Sequence, residues 1–388
     1  MAGIWLCWGL LPSAFGEGQT AVPKGKSAKG KAATKIQMNN FAYHWGQLMP
    51  LVVSPANFTA KEYETKIKEH LTALAAGSHN IEANMPIPED DPALKYVARK
   101  FDRHFNRTLD LFNNGQKGQA RRLLRKSSRF CISCHTRHSG GQFNLQSDYI
   151  SSLKNFSDLE RAEYLAAIRQ FPEAIKYFEL ALSKPEFAKR APDQWATAAK
   201  KMLAIVVRVK QDPYLAMELI SKIREDKAVP KQLSDDSLIW RGDAKAWSKE
   251  KHDPKATVAD RMAEIKQWRS RSEKFRKRGS EGGLIYELRA SAKAHELLVA
   301  ANGKPYQQEL LFLSGQIAED LAEINLWTLH ETYYEACIRV KPKTAVAKEC
   351  FGRLNKIKQD QFQKKLWGEK YKAQVESWLK ALKLLSVP

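Results

Sequence analysis

Residues 131–135 read Cys-Ile-Ser-Cys-His, directly after Arg129 and Phe130. Two thiols three positions apart share one face of a helix, and the next imidazole stands beside them. C-x-x-C-H is the attachment signature for one covalent haem c. The thiols add to the vinyl groups, and the histidine reaches the iron as proximal ligand. Cys131, Cys134 and His135 are therefore the expected cofactor-binding residues, with His135 on the metal. A thioredoxin-like pair would need a βαβ setting and a zinc site a second ligand pair, and neither is present. A cysteine pair without cofactor stays open.

The rest of the chain has to supply helices for that motif to pack on. Leu, Ala, Lys, Glu and Arg dominate, and no run of alternating Val, Ile and Thr is long enough for a sheet, so the expected class is all-α. With 388 residues, 43% of them hydrophobic, two or three packed domains are expected. A net charge of +21 suits nucleic acid, anionic lipid or an acidic protein. Basic residues are spread along the chain with acidic ones interleaved. No zinc-finger, helix-turn-helix or RNA-recognition pattern occurs, which argues against nucleic acid.

Ile4 to Leu11 form a short apolar core before Ala14-Phe15-Gly16, so residues 1–16 read as a secretory signal, too short to span a bilayer and removing Cys7 with it. A periplasmic or otherwise exported protein is expected, loaded by the haem maturation machinery and without a stable membrane span. Residues 17–35, rich in Gly, Ala and Lys, read as a disordered tether.

Four amphipathic patterns fill residues 36–150. Met38, Phe41, Ala42, Trp45, Leu48, Met49 and Val52 form one stripe. A second helix opens on the capping box Thr59-Ala60-Lys61-Glu62 and stops at Gly77. A third starts at Asp91-Pro92 and carries Phe101, Phe105 and Phe112. In the fourth, Gln116 to His138, Ala120, Leu123, Leu124, Ser127, Cys131, Cys134 and His135 face inward, while Arg121, Arg122, Arg125 and Arg129 face outward.

Four such helices with C-x-x-C-H near the end of the last resemble the cytochrome c prime family, and Tyr43 to Pro50 is similar to that family's first helix. The resemblance implies a haem-bearing bundle with Met38 facing the distal side of the iron, as a cofactor-binding and metal-binding residue. From the residues alone the sixth position stays open among Met38, one of His44, His79 or His104, and an empty site.

After residue 150 the pattern changes to helical hairpins: 159–170 with 172–183, 195–210 with 213–227, 284–300 with 307–324, and 326–340 with 342–357, closed by a Lys-rich helix. Arg161 to Tyr164 and Phe171 to Phe178 resemble the tetratricopeptide repeat, although the spacing exceeds its usual ~34 residues. Residues 151–388 are thus expected to form an α-solenoid that docks a protein partner. Cys337 and Cys350, equally far from the turn at Lys341–Lys343, are placed for a disulfide, with two buried thiols as the alternative.

Together these readings suggest an electron-transferring cytochrome. A gas-binding or sensor haem protein and a scaffold in a redox complex are the alternatives. Arg121, Arg122, Arg125, Arg129 and Arg137 would steer an acidic redox partner or form a solvated face. No catalytic triad, carboxylate pair or phosphate loop suggests an enzyme.

Overall fold

The computed structural model describes residues 27–53, 55–84, 92–127, 130, 156–167, 170–225, 229–251, 253–301, 303–322, 330–363 and 369–387. Among these residues every regular element is helical. The first group comprises α1 (Ser27–Val53), α2 (Pro55–Thr59), α3 (Glu64–Asn84), α4 (Pro92–Asn113) and α5 (Lys117–Lys126). The second begins with α6 (Asp158–Ala167), α7 (Phe171–Leu182), α8 (Pro185–Arg190) and α9 (Pro192–Ala204), which runs into a π-helical turn (Ile205–Lys210). It continues with α10 (Pro213–Glu225), α11 (Lys231–Trp247), α12 (Val258–Arg276), α13 (Leu284–Val299) and α14 (Gln307–Asp320). The last three are α15 (His330–Val340), α16 (Ala345–Gln363) and α17 (Glu369–Ser386).

Three local expectations need correcting. Helix α1 begins at Ser27, inside the stretch read as a disordered tether. Ala28, Ala32, Ala33 and the intervening lysines are strong helix formers, so extending an existing helix through them costs little. The capping box does not form. Pro55 starts its own short helix, and the Thr59 hydroxyl donates back to the Ala56 carbonyl at 3.2 Å. Gly77 does not stop α3, which continues to Asn84. Gly77 faces the Phe41 ring on α1, where a Cβ would make an ordinary contact at 3.4 Å, so the packing of α3 on α1 carries the helix through it.

Helix α1 packs on α3, α3 on α4 and α4 on α5, and α5 returns to α1. Farther on, α6 pairs with α7, and α12 through α17 pack each on the next. Helix α10 packs mainly on α11 rather than on α9, its expected hairpin partner. Helices α11 and α12 fill a stretch where no hairpin was expected. The expected domain boundary near Ser151 lies outside the described residues. On either side of it the two groups touch, because α4 packs against α15 and one hydrophobic core runs through both.

That core is anchored by large side chains with satisfied polar tips. Trp195 is buried and donates from Nε1 to the Leu182 carbonyl at 3.0 Å, and buried Trp240 donates to the Glu281 carbonyl at 2.8 Å. Tyr334, fully buried, lies against Gly315, where a Cβ would come within 2.5 Å of its ring. A disulfide joins Cys337 on α15 to Cys350 on α16, with Cα atoms 6.4 Å apart.

One buried carboxyl gives the fold a pH dependence. Glu287, only 2% exposed, accepts a hydrogen bond from Arg276 at 3.2 Å, and Arg276 also donates to Asp320 at 2.9 Å. Burial, then the like charge of Asp320, pushes the Glu287 carboxyl up to about 7, with Arg276 opposing. Its folded pKa lies above its ordinary 4.5, so the folded state holds the extra proton. The associated stability is complete below pH 4.5 and is lost as pH rises through 7. Glu287→Gln is therefore expected to be near neutral at pH 4.5 and to exceed wild type by roughly 3 kcal/mol above pH 7, read from urea unfolding.

Candidate functional site

Cys131, Cys134 and His135 lie outside the described residues, as do Arg129 and Arg137. Of the residues just before them, Ser127 and Phe130 are described. After α5, Ser127 forms a turn and the Phe130 amide donates to its carbonyl at 2.9 Å. Phe130 is buried, with its ring 4.9 Å from His104 and 5.9 Å from Phe101.

The apolar spacing of two helices explains what Phe130 meets. On α4, Phe101, His104, Phe105 and Thr108 recur at intervals of three and four and are all buried. On α1, Phe41, Trp45, Leu48 and Val52 do the same. Phe41 packs at a tilt on Phe101 at 4.9 Å and meets Phe105 edge-on at 5.0 Å, while Trp45 reaches Phe105 at 6.0 Å. Pairs at such separations contribute about 0.5–1.5 kcal/mol each beyond their burial. The outcome is an aromatic wall that ends at the residue preceding Cys131.

Met38 lies one turn before Phe41 on the same face of α1, half-buried and packed against this core. The histidines named as alternative ligands are placed differently. His104 Nε2 lies 3.1 Å from the Leu123 carbonyl and 2.7 Å from the Ser127 hydroxyl, so it is engaged within the protein. A carbonyl only accepts, which makes Nε2 the protonated nitrogen. His79 is exposed and lies 3.7 Å from Asp102. His44 Nδ1 meets Nδ1 of His70 at 3.0 Å, an arrangement in which one ring donates to the other. Burial, then His44, lowers the pKa of His70 and keeps it neutral. His70 was not foreseen, since only the packing of α1 on α3 brings it beside His44.

The arginine face divides. Arg121 was expected to point outward. It is half-buried instead, and its Nε donates to the Val52 carbonyl at 2.6 Å. It thereby satisfies a carbonyl in the last turn of α1, one of those a helix leaves unpaired. Arg122 is exposed. The side chain of Arg125 lies outside the described set.

Sequence reasoning also missed polar groups in the second half. Arg289 sits between the rings of Trp247 at 4.9 Å and Trp268 at 4.2 Å and pairs with Glu250, so this aromatic cage is filled by the chain's own cation. Next to it, burial pushes Asp243 up to about 6 against the opposing Tyr286 hydroxyl and the Arg271 and Arg289 charges. Arg208 is buried in the π-helical turn. Its signal was a single arginine in the apolar run Ile205-Val206-Val207-Arg208-Val209.

Among the described residues no group of three or more His, Cys, Asp or Glu is arranged to hold a metal ion, and no helix is long and apolar enough to cross a membrane. No protein-family model, curated protein or solved structure matches the chain significantly.

Proposed function

We propose that this protein is an exported c-type cytochrome, with one haem c attached through Cys131 and Cys134 and His135 as proximal ligand. The observation that carries this reading is C-x-x-C-H placed directly after Phe130, where the buried aromatic wall of α1 and α4 ends. Buried phenyl and indole rings suit an apolar macrocycle, so the chemistry of the surroundings fits the group. When bound, the haem supplies a one-electron couple at iron. Among the described residues, the buried rings of α1 and α4 exclude water beside the attachment motif, and Arg122 presents an exposed cation.

In this reading α1, α3, α4 and α5 are the four helices of a haem bundle resembling the cytochrome c prime family. The hairpins from α6 onward form a tetratricopeptide-like solenoid that docks a protein partner. The Cys337–Cys350 disulfide supports an oxidising compartment such as the periplasm, where the haem maturation machinery acts. Arg122, with Arg125, Arg129 and Arg137, steers an acidic redox partner. Arg121 contributes less, because it is tied to α1.

Met38 is the sixth ligand in this proposal, since it shares the aromatic face of α1 while His44, His79 and His104 are engaged elsewhere in the protein. A thioether favours ferrous iron and raises the potential relative to a second histidine, as suits electron transfer. Met38→Ala is expected to turn a low-spin spectrum high-spin and to admit carbon monoxide. The folding cost stays below the roughly 2–5 kcal/mol of a fully buried methionine, because Met38 is half-buried. A wild-type protein already high-spin and binding carbon monoxide would favour a gas-binding or sensor protein instead.

A further inference from the structure

The last turns of α17 are apolar on two sides. Val375, Leu379 and Leu382 recur at helical spacing and are buried. On the opposite side Ala381 and Leu384 are exposed, Leu384 at 72%, and so is Val387 just past the helix. One turn earlier the outward positions are polar, with Glu376 and Ser377 exposed. The outer apolar face is thus confined to the helix end.

Two further observations bear on what this end meets. Cations gather around it: Lys380 and Lys383 on α17 are exposed, and the turn between α15 and α16 adds exposed Lys341 and Lys343. That turn is tied to the helix end, because the Lys343 amide donates to the Leu385 carbonyl at 2.8 Å. Among the described residues none of these four lysines pairs with a carboxylate. The exposed carboxylates nearest in sequence, Glu349 and Glu376, each stand about a turn farther along their helices. The backbone is also prepared for a place poor in water. The Lys383 carbonyl accepts from the Val387 amide at 3.2 Å and from the Ser386 hydroxyl at 2.9 Å, and the Leu385 carbonyl is taken by Lys343. A helix C-terminus ordinarily leaves such carbonyls to water, and satisfying them lowers the cost of approaching an apolar phase.

We propose that this end of the molecule docks on an anionic lipid bilayer, with Leu384 and Val387 entering the boundary between headgroups and acyl chains and the four lysines meeting lipid phosphates. Charge complementarity selects an anionic partner. The apolar tip among the lysines selects one with an apolar interior behind its anionic surface, which is a bilayer. Lysine suits this place, since its alkyl stem lies along apolar surface while its ammonium stays at the headgroups. The docking is peripheral, needs no spanning helix and does not depend on the haem.

Co-sedimentation of the full-length protein with vesicles tests this, using phosphatidylcholine alone and equal parts of phosphatidylcholine and phosphatidylglycerol. Wild type should bind the mixed vesicles and not the neutral ones, with affinity falling as salt rises. Lys380→Glu combined with Lys383→Glu should weaken binding roughly 25-fold or more, at about fivefold for each lysine removed from the surface. Leu384→Ser, at a position exposed in the folded protein, should weaken it roughly tenfold through lost apolar insertion. Because the chain carries +21 overall, the control is Lys189→Glu with Arg190→Glu, both exposed on α8, which changes net charge equally and should leave binding nearly unchanged. An equal loss in that control would overturn the proposal in favour of diffuse charge attraction. Binding that Leu384→Ser leaves unchanged would overturn it in favour of an acidic protein surface, and wild type that ignores the mixed vesicles would overturn it outright.

Discussion

Replacing Glu331 by glutamine is expected to cost about 3–5 kcal/mol of unfolding free energy, because it breaks a buried ionic cluster on one side only. Glu331 stands in the first turn of α15, where a carboxylate is also favoured by the helix dipole. Its Oε2 accepts from Lys100 on α4 at 2.7 Å and from Lys358 on α16 at 2.6 Å, and Oε1 accepts from Gln361 at 3.0 Å. Burial alone would raise the carboxyl's pKa. The two lysine charges and their hydrogen bonds outweigh it and hold the carboxyl well below its ordinary 4.5. With glutamine there, two ammonium groups face each other without their shared counter-ion, and Lys358 is only 5% exposed.

Denaturant unfolding of Glu331→Gln, Lys358→Met and the double variant measures this. The double variant should cost clearly less than the sum of the singles, as coupled partners do. The pH behaviour is opposite to that of Glu287. The folded pKa of Glu331 is depressed, so its contribution is complete above pH 4.5 and disappears as pH falls toward the folded value. The gap between wild type and Glu331→Gln should therefore close in acid. Additive costs with a pH-independent gap would mean that the cluster does not join α4 to α15 and α16.

The second large effect concerns Cys131 and Cys134. Each thiol forms one thioether in the proposed attachment, so Cys131→Ala or Cys134→Ala should leave at most one covalent link, and the double substitution none. Haem retained by the double variant through His135 alone should be extracted by acidified organic solvent, whereas wild-type haem should remain on the chain. Mass spectrometry of the denatured protein reads this directly. The disulfide between Cys337 and Cys350 should persist in every variant, since it closes a separate hairpin.

What the sequence made legible followed from periodicity. The Phe41–Trp45–Leu48–Val52 stripe and the Phe101–Phe105–Phe112 stripe mark buried helix faces, and both are buried. The errors came from local signals overruled by neighbours. Gly77 looked like a helix stop because its packing partner, Phe41, lies on another helix. Thr59 looked like a cap because Pro55 was not credited with starting a helix of its own. Helix α12 was legible in principle, since Met262, Ile265, Trp268 and Ser272 recur at helical spacing among charged residues. A true capping box, Thr257 with Asp260, even marks its start. Polar clusters were not legible. Lys100 and Glu331 are 231 positions apart, and no local pattern pairs them. Nor does spacing reveal that Arg121 turns back onto the end of α1.

The central claim is a single haem c on residues 131–135, and a pyridine haemochrome spectrum of protein already extracted with acidified acetone tests it most directly. The account predicts the absorption of a haem bound through two thioethers, in equimolar amount to the chain, when the protein is made in an oxidising compartment with haem maturation machinery. A colourless extracted protein from the same source, with Cys131 and Cys134 recovered as free thiols or as a disulfide, would contradict it.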